Sequence, residues 1–271
     1  MNMRLFMIKL SLISMADGLL PFSGVGVRSA ILKAISSVEP FVARSIRSGA
    51  FHIHVTSILE TESIDYRCGS QDINVTRGSP YHIKIISNSK KLPQILRSWI
   101  FRNPRLSLGG ITFDISDMRV NEVDLSEIQE EAHKNFRIYF LSPTCFHKAQ
   151  SPYCSLFPAA GFIFQSLASN WRKFNPDSDI NPRQFRRWAQ LSFAETGYEL
   201  CTSKPLRLPD GRNTVGFLGW TNYKHVLHPG WAESDHEKML KTAWLLLRFG
   251  EYIGVGLGNA VGFGRIKVEP K

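Results

Sequence analysis

The four cysteines of this chain, Cys68, Cys145, Cys154 and Cys201, form no C-x-x-C pair and repeat no spacing. That pattern excludes a zinc ribbon and a dense disulfide framework, and it predicts reduced, structural thiols. No apolar run reaches the roughly eighteen residues of a membrane span. The opening MNMRLFMIKLSLISM is broken by Lys9 and alternates at Phe6, Ile8, Leu10 and Leu12, so it predicts a strand rather than a signal peptide. A cytoplasmic protein with no membrane partner is expected. Acidic residues are comparatively scarce, 23 against 33 basic, which leaves a net charge of +10 and a pI near 9.6. Such a balance points to a polyanion such as nucleic acid and away from acidic small molecules. There is no G-x-S-x-G elbow, Walker lysine or Rossmann-type acidic residue, so a serine hydrolase and a nucleotide-binding enzyme are both disfavoured. His225, His228 and His236 match no metal-ligand spacing and are expected in loops; no metal and no cofactor are predicted.

The 271 residues are enough for two ordinary cores, and 43% hydrophobic with 21% charged is typical of a globular protein. Residues 1–135 carry +3 and residues 136–271 carry +7, which makes the second half the expected main binding face. After the first strand a Leu20-Pro21-Phe22-Ser23-Gly24 turn leads into a helix over 25–38 with the stripe Val27, Ile31, Ala34, Ile35 and Val38. A short helix over 40–47 precedes a strand over 51–58, with His52 and His54 on the face opposite Phe51, Ile53 and Val55. Further strands over 63–87, a helix over 92–101 and a strand pair near 111–123 complete this half. The acid-rich 126–135 segment is the expected junction, with domains over 1–130 and 131–271.

The second half repeats the plan: a strand over 136–141, a Ser142-Pro143-Thr144 turn, and a helix over 158–174 carrying Phe164, Leu167 and Trp171. A strand over 214–223 and a final helix follow. That helix opens on the capping box Ser234-x-x-Glu237 and ends at Gly250. Trp99, Trp171 and Trp244 fall on apolar stripes and are expected in the core. Two copies of one α+β module are predicted.

Three features carry binding chemistry. Gly254, Gly256, Gly262 and Gly264 form two G-x-G pairs around five residues before a strand over 263–268, and glycines permit the positive φ that aims successive amides at a phosphate. Arg183, Arg186 and Arg187, with Trp188 close by, sit at helical spacing with no acid between Asn181 and Leu191, and Lys173 extends this patch toward RNA. Arg28 lies in the first turn of its helix, where the dipole favours an anion and disfavours a lone cation.

Together these features resemble the Cas-six family of CRISPR-associated endoribonucleases in the repeat-associated mysterious protein superfamily. The resemblance rests on the terminal glycine loop from Gly254 to Gly264, the Leu-Pro-Phe-Ser-Gly turn, Phe140-Leu141-Ser142-Pro143-Thr144, and Gly216-Phe217-Leu218-Gly219-Trp220. It implies two tandem ferredoxin-like (RRM-like) domains that bind CRISPR repeat RNA, the repeats of precursor CRISPR RNA, across a basic surface. It also implies metal-independent cleavage by the ribose 2′-OH, giving 2′,3′-cyclic phosphate and 5′-OH ends. Other CRISPR effector-complex proteins and a second copy of the chain are further partners to be expected. Many members carry a tyrosine in the first helix and a histidine soon after; here that helix has no tyrosine, and residues 41–49 hold only Arg44 and Arg47 as candidates. Either His52 has taken the acid-base role or several cations act on the phosphate alone. The expected catalytic set is Arg28, His52 and Arg47, with Arg44, Lys173, Arg183, Arg186, Arg187 and the four glycines binding RNA. A non-catalytic repeat-RNA-binding subunit is the alternative.

Overall fold

A computed structural model describes residues 3–49, 51–59, 68–125, 132–148, 150–207, 213–228 and 233–271. The expected junction at 130/131 lies outside the described residues, as does the 63–67 portion of the strands expected over 63–87. The first half runs β1 (Arg4–Ser14), β2 (Gly18–Leu20), α1 (Gly24–Val38), α2 (Pro40–Arg47), β3 (Ile53–Val55), β4 (Ile73–Val75), β5 (Pro80–Ser87), α3 (Leu92–Arg102), β6 (Arg105–Leu108) and β7 (Ile111–Asp124). The second runs β8 (Asn135–Thr144), β9 (Phe146–His147), β10 (Cys154–Ser155), α4 (Ala160–Phe174), α5 (Pro182–Ser192), β11 (Phe193–Thr202), β12 (Leu206–Arg207), β13 (Asn213–Thr214), β14 (Phe217–His225), α6 (Glu233–Ile253) and β15 (Ile266–Pro270).

The alternation in β1 puts Ile8, Leu10 and Leu12 on one face at 0% exposure, where they meet Val27, Ile31 and Ile35 of α1 and Leu92 and Leu96 of α3 in one core. That core fixes a five-stranded antiparallel sheet in the order β3-β5-β1-β7-β6. The second half forms a four-stranded antiparallel sheet in the order β11-β14-β8-β15, packed through Phe136, Ile138, Phe140 and Val268 against Leu167, Trp171 and Leu247. In each sheet the first strand of the half lies between the third and last strands of a β-α-β-β-α-β unit, so the chain is an α+β protein of two tandem ferredoxin-like domains. Trp99, Trp171 and Trp244 are buried as expected.

Four local expectations are corrected. The strand expected over 51–58 is confined to β3, and all three of its residues are buried, His54 included, because the second half covers this sheet edge. Helix α6 begins at Glu233, so Ser234 is inside the first turn rather than in front of it, and the helix passes Gly250 to end at Ile253. At Gly250 a Cβ would meet Leu167 Cδ2 at 2.7 Å, so this glycine allows α6 to approach α4 instead of ending the helix. Finally, Cys68 and Cys201 are joined by a disulfide across a sequence separation of 133; only Cys145 and Cys154 are free thiols. No spacing rule finds a pair so far apart, since only the fold brings Cys68 alongside β11. Gly69 there bonds Thr202 O (3.2 Å) and accepts from Lys204 N (2.8 Å).

Candidate active site

The glycine loop bridges the two halves. Gly254, Gly256, Gly258, Gly262 and Gly264 all have φ between +66° and +86°, a range that only glycine occupies at little cost. Most of their space is already filled by backbone. A Cβ would lie 1.7 Å from Val255 O at Gly264, 2.4 Å from Cys145 O at Gly256 and 2.7 Å from Ser57 N at Gly262. The amides expected to cradle a phosphate are committed within the protein: Gly254 N–H donates to Gly250 O (2.7 Å), Gly256 N–H to Ser166 Oγ (2.8 Å), Gly262 N–H to Asn259 O (3.3 Å) and Gly264 N–H to Pro143 O (3.0 Å). The four glycines therefore shape the loop and seat it on its neighbours rather than holding an anion with their own amides. At the tip, the Asn259 Nδ2 is buried with no hydrogen-bond partner among the described residues.

Opposite the loop stands β3. Val55 N–H donates to Ala260 O (3.3 Å), and Val55 pairs with Val261 as a parallel bridge. Because α1 starts at Gly24, Arg28 lies just past its first turn rather than in it; it donates from Nη1 to Ile53 O (2.5 Å) and to Ala260 O (3.5 Å), so its half-buried guanidinium straps the loop to β3. This answers the misplaced charge: carbonyl oxygens stand where an anion was expected. Burial lowers the Arg28 pKa.

His52, half-buried just before β3, has its backbone held by Ser87 Oγ, which donates to His52 O (3.0 Å). Its ring lies 5.4 Å from the Phe174 ring at the end of α4. Desolvation, then the charges of Lys173 and Arg28, lower its pKa below the ordinary histidine value, so the imidazole is neutral and able to accept a proton near pH 7. His54 plays another part. Its ring is buried 5.3 Å from the same Phe174, its Nδ1 is 3.1 Å from Ile253 O, and burial, only partly opposed by that hydrogen bond, pushes its pKa down to about 3. It is a neutral anchor between the halves.

Of the expected residues, the fold thus gathers Arg28, His52 and Lys173 with the glycine loop. Arg44 and Arg47 stand exposed on the last turn of α2. Arg183 and Arg187 are exposed on α5, whose N-terminus is capped by Asn181. Arg186 instead donates to Gln165 Oε1 (3.1 Å) and lies 4.8 Å over the Phe162 ring. Trp188 does not share that outer face: it is 0% exposed and donates to His236 Nδ1 (3.4 Å). His236 is likewise buried, its ring 5.4 Å from that of His225, so these are core histidines rather than loop ones; among the described residues no three His, Cys, Asp or Glu side chains are grouped for a metal. No helix among the described residues is long and apolar enough to cross a membrane.

Between α4 and the loop lies an open groove of about 350 Å³ lined by Ser166, Asn170, Lys173, Arg186, Gly256 and Asn259, among others. Asn170, Phe174 and Asn259 went unnoticed in the sequence. Phe174 reads as one more apolar position of its helix, and no local signal shows that it reaches His52.

The model of the CRISPR-associated endoribonuclease Cas6 matches residues 138–266, from β8 through the glycine loop. A CRISPR-associated endoribonuclease Cas6 of Streptococcus thermophilus is 24% identical over 247 residues, covering 82% of this chain and 90% of that protein. A second, Cas6 1 of Saccharolobus solfataricus, is 26% identical over 180 residues, 58% of this chain and 60% of the relative. Among solved structures, the product complex of the Thermus thermophilus Cas6 TTHB231 superposes with a TM-score of 0.74 at 16% identity, over 99% of this chain and all of that one. With the doubled ferredoxin-like fold and the terminal glycine loop in place, the chain is similar to the CRISPR-associated endoribonucleases Cas6 over most of its length.

Proposed function

We propose that this protein binds CRISPR repeat RNA and cuts precursor CRISPR RNA once within each repeat, without a metal ion. The observation that supports this most is His52: a half-exposed imidazole kept neutral by burial and by Lys173 and Arg28, at the seam between the halves. Neutral His52 takes the proton of the ribose 2′-OH, the 2′-oxygen forms a bond to phosphorus, and the bond from phosphorus to the 5′-oxygen breaks, with that oxygen taking a proton from solvent. The products are a 2′,3′-cyclic phosphate and a 5′-OH. Arg28 and Arg47 act on the charge of the phosphorane, Arg28 from a fixed position and Arg47 from an exposed one. Arg44, Lys173, Arg183, Arg186, Arg187 and the loop from Gly254 to Gly264 hold the RNA on either side. Other CRISPR effector-complex proteins, a second copy of the chain and a cytoplasmic setting belong to the same proposal.

The test is incubation with repeat RNA in EDTA. Cleavage to a 2′,3′-cyclic end, lost with a 2′-deoxy sugar at the cut site while binding persists, is expected. Cleavage that requires a divalent ion would overturn the mechanism. One observation favours a second reading, a non-catalytic repeat-RNA holder: the Arg28 guanidinium is already bonded to two carbonyls. RNA that is bound and never cut would establish it.

A further inference from the structure

A role in holding RNA does not account for the placement of Lys173. Lys173 lies in the last turn of α4, where the helix dipole favours any cation, and its neighbour Arg172 is exposed there with it. Lys173 differs from Arg172 in three respects. Its ammonium donates to Asn170 Oδ1 (3.3 Å), and Asn170 is only 5% exposed, so a buried amide holds a surface cation in one place. It borders the groove that also contains Asn259 and the glycine loop. The next residue, Phe174, is the ring against which both His52 and His54 pack, and Asn88 Nδ2 donates to Phe174 O (3.5 Å), fixing this helix end to the first half. A lysine with a buried partner, at a fixed point beside the general base and open to a groove, is arranged to meet an anion rather than to improve solubility.

Resting on the reading of the site as a repeat-RNA cleaving centre, we infer that Lys173 is a catalytic residue supplied by the second half, contacting the phosphate that is cut, and that Asn170 is its positioning residue. In the reaction Lys173 answers the second negative charge that appears as the 2′-oxygen adds to phosphorus, a charge absent from the bound substrate. An interaction made mainly in the transition state raises the rate of the cut more than the affinity. Its proton stays on nitrogen throughout. The same placement explains the electrostatics of His52, which faces Lys173 from α4, Arg28 from α1 and His54 from β3. Asn170 keeps the ammonium from folding back into solvent, and so acts only through Lys173.

The experiment is single-turnover cleavage of repeat RNA by the full chain, with RNA affinity measured in parallel. Lys173→Met, an exposed change that preserves the stem of the side chain, is expected to slow the cut about 100-fold, the scale seen when one transition-state donor is removed. Affinity should fall about fivefold or less, the worth of one exposed charge contact. Lys173→Arg should restore most of the rate. The acid limb of the pH–rate profile should move upward in Lys173→Met, since a cation that depresses His52 is gone. Asn170→Ala should slow the cut about tenfold, and the double variant no further than Lys173→Met alone, as expected when one residue acts through the other. If the parent cuts repeat RNA and Lys173→Met cuts as fast, or loses rate only in proportion to affinity, the assignment of Lys173 is wrong while the proposed function stands. If the parent does not cut, both fall. Additive losses in the double variant would remove Asn170 from the scheme.

Discussion

Replacing Gly262 by alanine isolates what the glycine loop contributes, because the chain contains its own control. Gly262 has φ +86° and an added Cβ would sit 2.7 Å from Ser57 N and 3.1 Å from Thr56 C, both in the first half. Gly49, after α2, has nearly the same conformation, φ +82°, with nothing within 4 Å of its would-be Cβ. Both substitutions force an L-residue into the left-handed region at about 1–2 kcal/mol, and both stiffen the unfolded chain by about 0.4–1 kcal/mol in the opposite sense. These contributions cancel in the comparison. What remains at Gly262 is a contact with backbone that cannot rotate away, so β3 and the loop must separate, an overpacking cost of about 1–3 kcal/mol. That movement would stretch the Val55–Val261 bridge and the bond from Arg28 to Ala260 O. Urea denaturation at constant slope is the assay, with the midpoint of Gly262→Ala expected well below that of Gly49→Ala. Equal midpoints would refute the claim that the loop is glycine-rich because it seats against the other half. Repeat-RNA cleavage should fall in Gly262→Ala and hold in Gly49→Ala.

Acid should weaken the fold through His54. Its folded pKa is pushed down to about 3 while the unfolded value is about 6.5, so between these values the unfolded chain holds more protons and stability falls as pH falls. From pH 6.5 to 5 the parent should lose ~2 kcal/mol relative to a His54→Gln variant, read from urea midpoints at the two pH values; parallel losses would refute the assignment. Thiol titration checks the cysteines. With Cys68 and Cys201 bonded, unreduced protein should yield two thiols when denatured and four after reduction, and four before reduction would contradict the bond. In the native state only Cys154 should react quickly, because burial first, and then the neighbouring Cys154, push the buried Cys145 thiol up to about 12.

Whatever depended on local periodicity was legible in the sequence. The stripe Val27, Ile31, Ala34, Ile35 becomes the buried face of α1, and the alternation in β1 becomes the sheet interior. The errors share one cause, which is burial created by elements distant in sequence. His54 alternates like a solvent-facing residue, yet Phe174 and Ile253 from the second half cover it. Trp188 sits among arginines, yet it turns inward to His236 across a separation of 48 residues. The Cys68–Cys201 bond spans 133 residues and has no local sign at all. The glycine loop is legible through the need for positive φ, but the partners of its amides, which lie within the protein, are not. A glycine can be required because a ligand approaches or because the protein's own backbone does, and sequence does not distinguish the two.

That distinction bears on how the site is assembled. The family model covers the second half and the loop, whereas His52, Arg28, Arg44 and Arg47 belong to the first half. Neither half alone holds all the residues of the proposed centre. His52 stands near Lys173 because Phe174 is wedged against both histidines, because His54 is tied to Ile253 O, and because Arg28 joins Ile53 O to Ala260 O. Leu5 and Ile86 of the first sheet are counted within the second core, so this contact is apolar as well as polar. The glycines enter here: they let the loop lie flush on Ser57 and Cys145, which bears on the distance between the proposed base and the proposed cation. An error of about 1 Å in such a distance can cost on the order of 100-fold in rate. On the proposed scheme, variants that loosen the seam should lose cleavage before they lose RNA, since the proposed phosphate contacts are spread over exposed arginines on both halves while the proposed chemistry depends on one junction.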